Sequence, residues 1–88
     1  MNTQVTYPRV TSVKPLKGKR LLVEFSTGEQ RVYDCTPLLR ESVFASLADD
    51  RLFEQVRADS HGYGVVWNDE LDIAESELWI NGVVRGPD

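Results

Sequence analysis

Cysteine, histidine and methionine each occur once in the 88 residues, and the scarcity closes several classes of chemistry. A lone cysteine, Cys35, has no partner for an internal disulfide or for a cysteine-pair zinc site. A lone histidine, His61, is a poor start for a metal centre. No run approaches the ~18 apolar residues that a membrane-spanning helix needs. The opening Met1-Asn2-Thr3-Gln4-Val5-Thr6 has neither a basic region nor an apolar core, so no signal peptide is expected and the chain reads as cytoplasmic. Gly62 and Gly64 lack the following helix and lysine of a phosphate-cradling loop. No Gly-x-Ser-x-Gly elbow is present to expose a nucleophile. These absences lead to an expectation of no catalytic residues, no metal and no cofactor.

What is there is ordinary for a folded domain: 41% hydrophobic and 27% charged residues. A chain this short buries only about 60–65% of its unfolded surface, which leaves no room for a second core or a deep cofactor cleft. The net charge of −4 argues against nucleic-acid binding driven by the chain's own charge. The charge is unevenly spread, at net +4 over residues 1–33 and −8 over residues 34–88. Such asymmetry can orient a partner or a second copy of the chain.

Residues 1–8 read as a lead-in, 9–80 as a single α+β domain and 81–88 as a C-terminal tail or weak terminal strand. Arg9 to Leu16 favours a strand, and the spacing of three from Val10 to Val13 predicts a bulge or an edge position. Arg20 to Phe25 is the clearest strand, with Leu21, Val23 and Phe25 alternating on one face. Ser26-Thr27-Gly28-Glu29 is a hairpin loop in which Gly28 is free to take positive φ. Gln30 to Cys35 returns, completing a three-strand antiparallel meander. Thr36-Pro37 starts a short helix with Thr36 as N-cap, and Val43 to Leu47 is an irregular link. Asp49-Asp50 caps a second helix, Arg51 to about Val56. A later hairpin follows, turning at His61-Gly62-Tyr63-Gly64 and returning through Val65-Val66-Trp67. Asp72 and Glu75 fit a capping box for a last helix from Ile73 to about Trp79. The expected core is Val13, Leu21, Val23, Phe25, Tyr33, Leu38, Phe44, Leu47, Leu52, Phe53, Val56, Val65, Trp67, Ile73 and Leu78.

The ordered series Tyr7-Pro8-Arg9-Val10, Val13-Lys14-Pro15-Leu16, Leu21 to Phe25 with Gly28-Glu29, and Tyr33-Asp34 into Thr36-Pro37-Leu38-Leu39 carries a family likeness. It continues through Val43-Phe44, Leu47, Leu52-Phe53, Gly62-Tyr63, Val66-Trp67, Leu71-Asp72-Ile73 and Glu77-Leu78. In this order the chain, over roughly residues 7–79, resembles the bacterial family called domain of unknown function 2442. It departs from that pattern in the Asp69-Glu70-Leu71-Asp72 run after the tryptophan. The resemblance implies a compact α+β domain without known catalytic residues. It also implies relatives joined to a helix-turn-helix segment, or paired with another small protein in an antitoxin-like manner. Any DNA contact is then expected to come from a partner.

Individual side chains give weaker signals. Asp34 beside Cys35 raises a thiol pKa rather than lowering it, so Cys35 reads as a buried apolar residue. The acidic run Asp69, Glu70, Asp72, Glu75 and Glu77 places Leu71 and Ile73 where a calcium loop needs oxygens. Lys14, Lys17, Lys19 and Arg20 cluster at the first turn and read as a solvated surface. His61, Tyr63, Trp67 and Asp69 are the expected partner surface, since Trp and Tyr favour interface centres, although Trp67 also suits the core. The function expected is a non-enzymatic protein-interaction module, an adaptor or antitoxin-like partner. A homo-oligomer is a further option, because a meander leaves strand edges to cover. The alternative is a small ligand-binding domain or enzyme with a pocket near His61, Tyr63 and Asp69.

Overall fold

Alternation of apolar and polar residues builds the first half of the chain into an antiparallel meander. The computed structural model describes residues 6–85. Its first strands are β1 (Val10–Leu16), β2 (Arg20–Phe25) and β3 (Gln30–Asp34). In β2, Leu21, Val23 and Phe25 are fully buried while Leu22 and Glu24 take the other face. The β1–β2 register shifts between Val10 and Ser12, a bulge that lets both Val10 and Val13 turn toward the core despite their odd spacing.

Two 3-10 segments, Thr36–Arg40 and Ser42–Ala48, then α1 (Asp50–Phe53), carry the chain to a second sheet. That sheet holds β4 (Arg57–Ala58), β5 (Gly64–Asn68) and β6 (Leu71–Ala74) in the order β4-β5-β6. After α2 (Glu75–Asn81), the strand β7 (Val83–Val84) pairs antiparallel with β3, so the first sheet runs β1-β2-β3-β7. The architecture is α+β, with the expected meander widened by one strand and the expected hairpin widened to three strands. Asn81 ends α2, and Val83–Val84 takes the terminal-strand alternative expected there rather than the tail. Residues 1–5 of the expected lead-in and 86–88 of the expected tail lie outside the described residues.

Three local expectations are corrected. Thr36 does not cap the first helical segment: Cys35 holds the cap position without a side-chain bond, and the Asp34 carboxylate accepts from the Thr36 amide at 2.9 Å. The Val43–Leu47 link is itself helical, as the second 3-10 segment. Asp72 and Glu75 do not form a capping box, because Leu71 to Ala74 is strand and Ala74 is the N-cap of α2. Pairing Val65 with Ile73 buries Leu71 and Ile73 to 5% exposure each. Burying two such side chains is worth roughly 1.5–3 kcal/mol each, more than the ~1 kcal/mol of a cap. The Asp49 cap is present, accepting from the Arg51 amide at 2.9 Å.

One hydrophobic cluster serves both sheets. It joins Leu21, Val23, Phe25 and Tyr33 to Val65, Trp67, Leu71 and Ile73, and includes Leu47, Phe53, Val56 and Leu78. Val13, Leu38, Phe44 and Leu52, expected in the core, are only partly buried at its margin, while Val10, Cys35 and Leu71 belong to it. Among the described residues, no helix is long and apolar enough to cross a membrane.

Candidate interaction surface

The expected partner surface divides into three places. Trp67 is 2% exposed, and its Nε1 donates to the Phe53 carbonyl at 3.0 Å with the two rings 6.0 Å apart. It is core, because alternation along β5 sends Val65 and Trp67 inward together. His61 and Tyr63 do meet: their rings stack at 5.9 Å, and the Arg9 guanidinium lies 4.2 Å from the Tyr63 ring centre. Asp59 holds this turn by accepting from the His61 and Tyr63 amides at 2.9 and 3.2 Å. Those two bonds keep its carboxyl below the usual carboxylate range. Asp69 is exposed in the β5–β6 turn, at the opposite end of β5 from Tyr63. Five strand residues separate the ends by roughly 15 Å. Three clefts of the molecule are lined by other residues.

Two nucleophilic side chains, Cys35 and Tyr33, are withdrawn from the surface. Cys35 is buried, and burial first, then the Asp34 charge, pushes its thiol up to about 12. Tyr33 is 4% exposed and donates to Glu77 Oε2 at 2.8 Å. Burial, that hydrogen bond and the Glu77 charge raise its phenol well above the ordinary range. Among the described residues, no three metal-ligating side chains gather in one place.

A groove of about 620 Å³ opens where β7 stops short along β3. β7 pairs only with Arg31 and Val32, so the last residues of β3 face α2 and the first 3-10 segment instead of another strand. Val32, Leu38 and Val83 give the groove apolar walls. Its polar centre is the Glu77 carboxylate, which accepts from Tyr33 and from Asn81 Nδ2, the latter at 2.9 Å. A smaller hollow of about 220 Å³ shares Tyr33, Leu38 and Glu77 and extends the groove toward Phe44 and Ile73. Ile80, Val83 and Val84, three of the large apolar side chains left exposed, lie on the adjoining segment at 59%, 71% and 57% exposure. Sequence reading misses this site. Glu77 and Asn81 stand four apart on one helix face, a visible signal, but Tyr33 is 44 positions away and is brought in only by packing.

A further cleft of about 480 Å³ lies between the β1–β2 turn and α1. There Lys19 is bonded to Asp50 and stands 5.4 Å from the Phe53 ring centre. Arg20 Nε donates to the Lys17 carbonyl at 2.9 Å, so half of the expected basic cluster is engaged within the chain.

No curated protein matches this sequence. The fold is similar to the crystal structure of a candidate DNA-binding protein from Nitrosomonas europaea, with a TM-score of 0.67 and 30% identity. That likeness covers 81% of this chain and 46% of the other, so this chain spans less than half the length of that protein. Residues 10–82 match the family model described as protein of unknown function (DUF2442), and the chain belongs to that family.

Proposed function

We propose that this domain is a non-enzymatic protein-interaction module of the cytoplasm, an adaptor or antitoxin-like partner of another bacterial protein. The carrying observation is the groove beside β7, apolar on its walls and continuous with exposed Ile80, Val83 and Val84. Apolar surface left in water at a sheet edge favours a protein occupant. The burial of Cys35 and Tyr33 supports the non-enzymatic half of the reading. The pocket alternative draws no support from His61, Tyr63 and Asp69, since Asp69 stands apart from the other two. The test is affinity capture from the native host with wild type, Val83→Glu and Leu38→Glu. The expected result is a specific partner held by wild type and lost by both variants, with the melting temperature unchanged for Val83→Glu, whose side chain is 71% exposed. Identical recoveries from all three proteins would remove the groove from this role.

A second reading, direct nucleic-acid contact, is favoured by the assignment of the Nitrosomonas protein. Here it would use Lys14, Lys17 and the remaining NH groups of Arg20 at the first turn, with Lys19 paired to Asp50. It predicts binding to duplex DNA that falls steeply with salt. Absence of binding at low salt ends it.

A further inference from the structure

The outer face of the four-stranded sheet carries a second pattern, which shares Arg20, Val32, Asp34 and Val83 with the groove beside β7 and is centred on Leu22, outside that groove. Strand register sets three cross-strand rows on it. The central row is Lys14, Leu22, Val32 and Val83. One flank is Leu16, Arg20 and Asp34; the other is Ser12, Glu24 and Gln30. Alternation sends Leu21, Val23 and Tyr33 to the opposite, buried face. There α2 packs, with Trp79 edge-on to Phe25 at 5.0 Å. On the outer face Leu22 and Val32 are half-buried and Val83 is exposed.

Stacking a second copy on this face, about a two-fold axis parallel to the strands and between β2 and β3, sets each row against itself with the strand order reversed. Leu22 then faces Val32 of the second copy, and Arg20 faces its Asp34, each contact occurring twice. Lys14 faces Val83 and Glu24 faces Gln30, so no like charges meet. Arg20 and Asp34 are already cross-strand neighbours within one chain, so the dimer closes a square of four alternating charges. Stacked sheets rotate by about 30°, which superposes best the residues nearest the axis, and those are the ones in question. We propose that this face is a self-complementary contact through which two copies of the chain associate. Three strands about 4.8 Å apart and some five residues long, with the two residues of β7 beside them, give on the order of 300 Å² per copy. A stable interface needs ~800 Å² per partner, so the dimer is weak and concentration-dependent.

Sedimentation velocity across a concentration series tests this. Wild type is expected to shift toward dimer as concentration rises and to shift back with added salt. Arg20→Glu and Asp34→Lys, each alone, are expected to stay monomeric, since each sets like charges face to face. Mixed together, the two variants are expected to form a heterodimer, because both facing pairs are then of opposite sign. Loss of folding stability cannot mimic that recovery. Leu22→Glu, in the central row, is expected to abolish association in an otherwise folded protein. Wild type that remains monomeric throughout, or a mixture that fails to associate, overturns the proposal. So does a dimer that survives Leu22→Glu and is lost with Val84→Glu, which would place the contact on the β7 edge.

Discussion

Cys35 sits where burial and the Asp34 carboxylate both oppose ionisation. Its ordinary value is 9.0, and the folded chain holds it up to about 12. Between those values the native state keeps a proton that the unfolded chain has released. The contribution is therefore complete below pH 9.0 and is lost as pH rises toward about 12. Tyr33, raised from 10.0, acts in the same direction at higher pH. The urea midpoint followed by circular dichroism is expected to fall on alkalinisation, and less steeply at first for Cys35→Ala. A flat profile for wild type would contradict the burial argument. Trp67 makes a second residue-level case. Trp67→Phe leaves the Phe53 carbonyl with only the longer bond from the Val56 amide at 3.4 Å and is expected to cost about 1 kcal/mol or more in denaturant unfolding. The sequence marks Trp67 only as a residue suited to both core and interface. Alternation fixes its side of β5, but which side is covered depends on Phe53, and packing decides that.

At the scale of elements, strands were more legible than helices. β2 was readable to its ends, because one strand with one buried face writes a period-two pattern into the sequence. The helical segments are four to seven residues long, too short for a 3.6-residue period to repeat. The capping-box expectation failed for that reason: Asp72-Ile73-Ala74-Glu75 satisfies a local rule, while Leu71 and Ile73 satisfy a non-local one by burying against β5. The β5–β6 pair gives the sharpest element-scale prediction. Gly64 has φ +154°, and a Cβ there would stand 2.1 Å from the Ile73 carbonyl oxygen on the neighbouring strand. Gly64→Ala is expected to cost at least ~2–3 kcal/mol, read as a lowered urea midpoint. A wild-type midpoint would mean that the two strands separate more easily than their pairing implies. Asp49→Ala, which removes only a cap, is expected to cost about 1 kcal/mol in the same assay.

For the whole molecule, a shared core couples two sheets that have no strand in common. Trp67 belongs to the second sheet. Trp79 is clasped over the first, between Phe25 and the Arg31 guanidinium, which lies 3.6 Å from its ring centre. The single-tryptophan proteins Trp67→Phe and Trp79→Phe therefore report on opposite halves. Within each variant, fluorescence and far-ultraviolet circular dichroism are expected to give the same urea midpoint, as a single cooperative unit requires. Separate midpoints would mean that the sheets unfold independently.

The meander, the α+β class, the Asp34 charge beside Cys35 and the family likeness are legible along the chain, because each follows from neighbours close in sequence or from an ordered series of residues. Packing of the folded chain settles which strand residues 83–84 join, that Asp69 stands apart from His61 and Tyr63, and that Tyr33 meets Glu77 across a groove. Those outcomes depend on contacts between residues far apart in sequence. Local propensity does not encode such contacts; burial of a common core selects them.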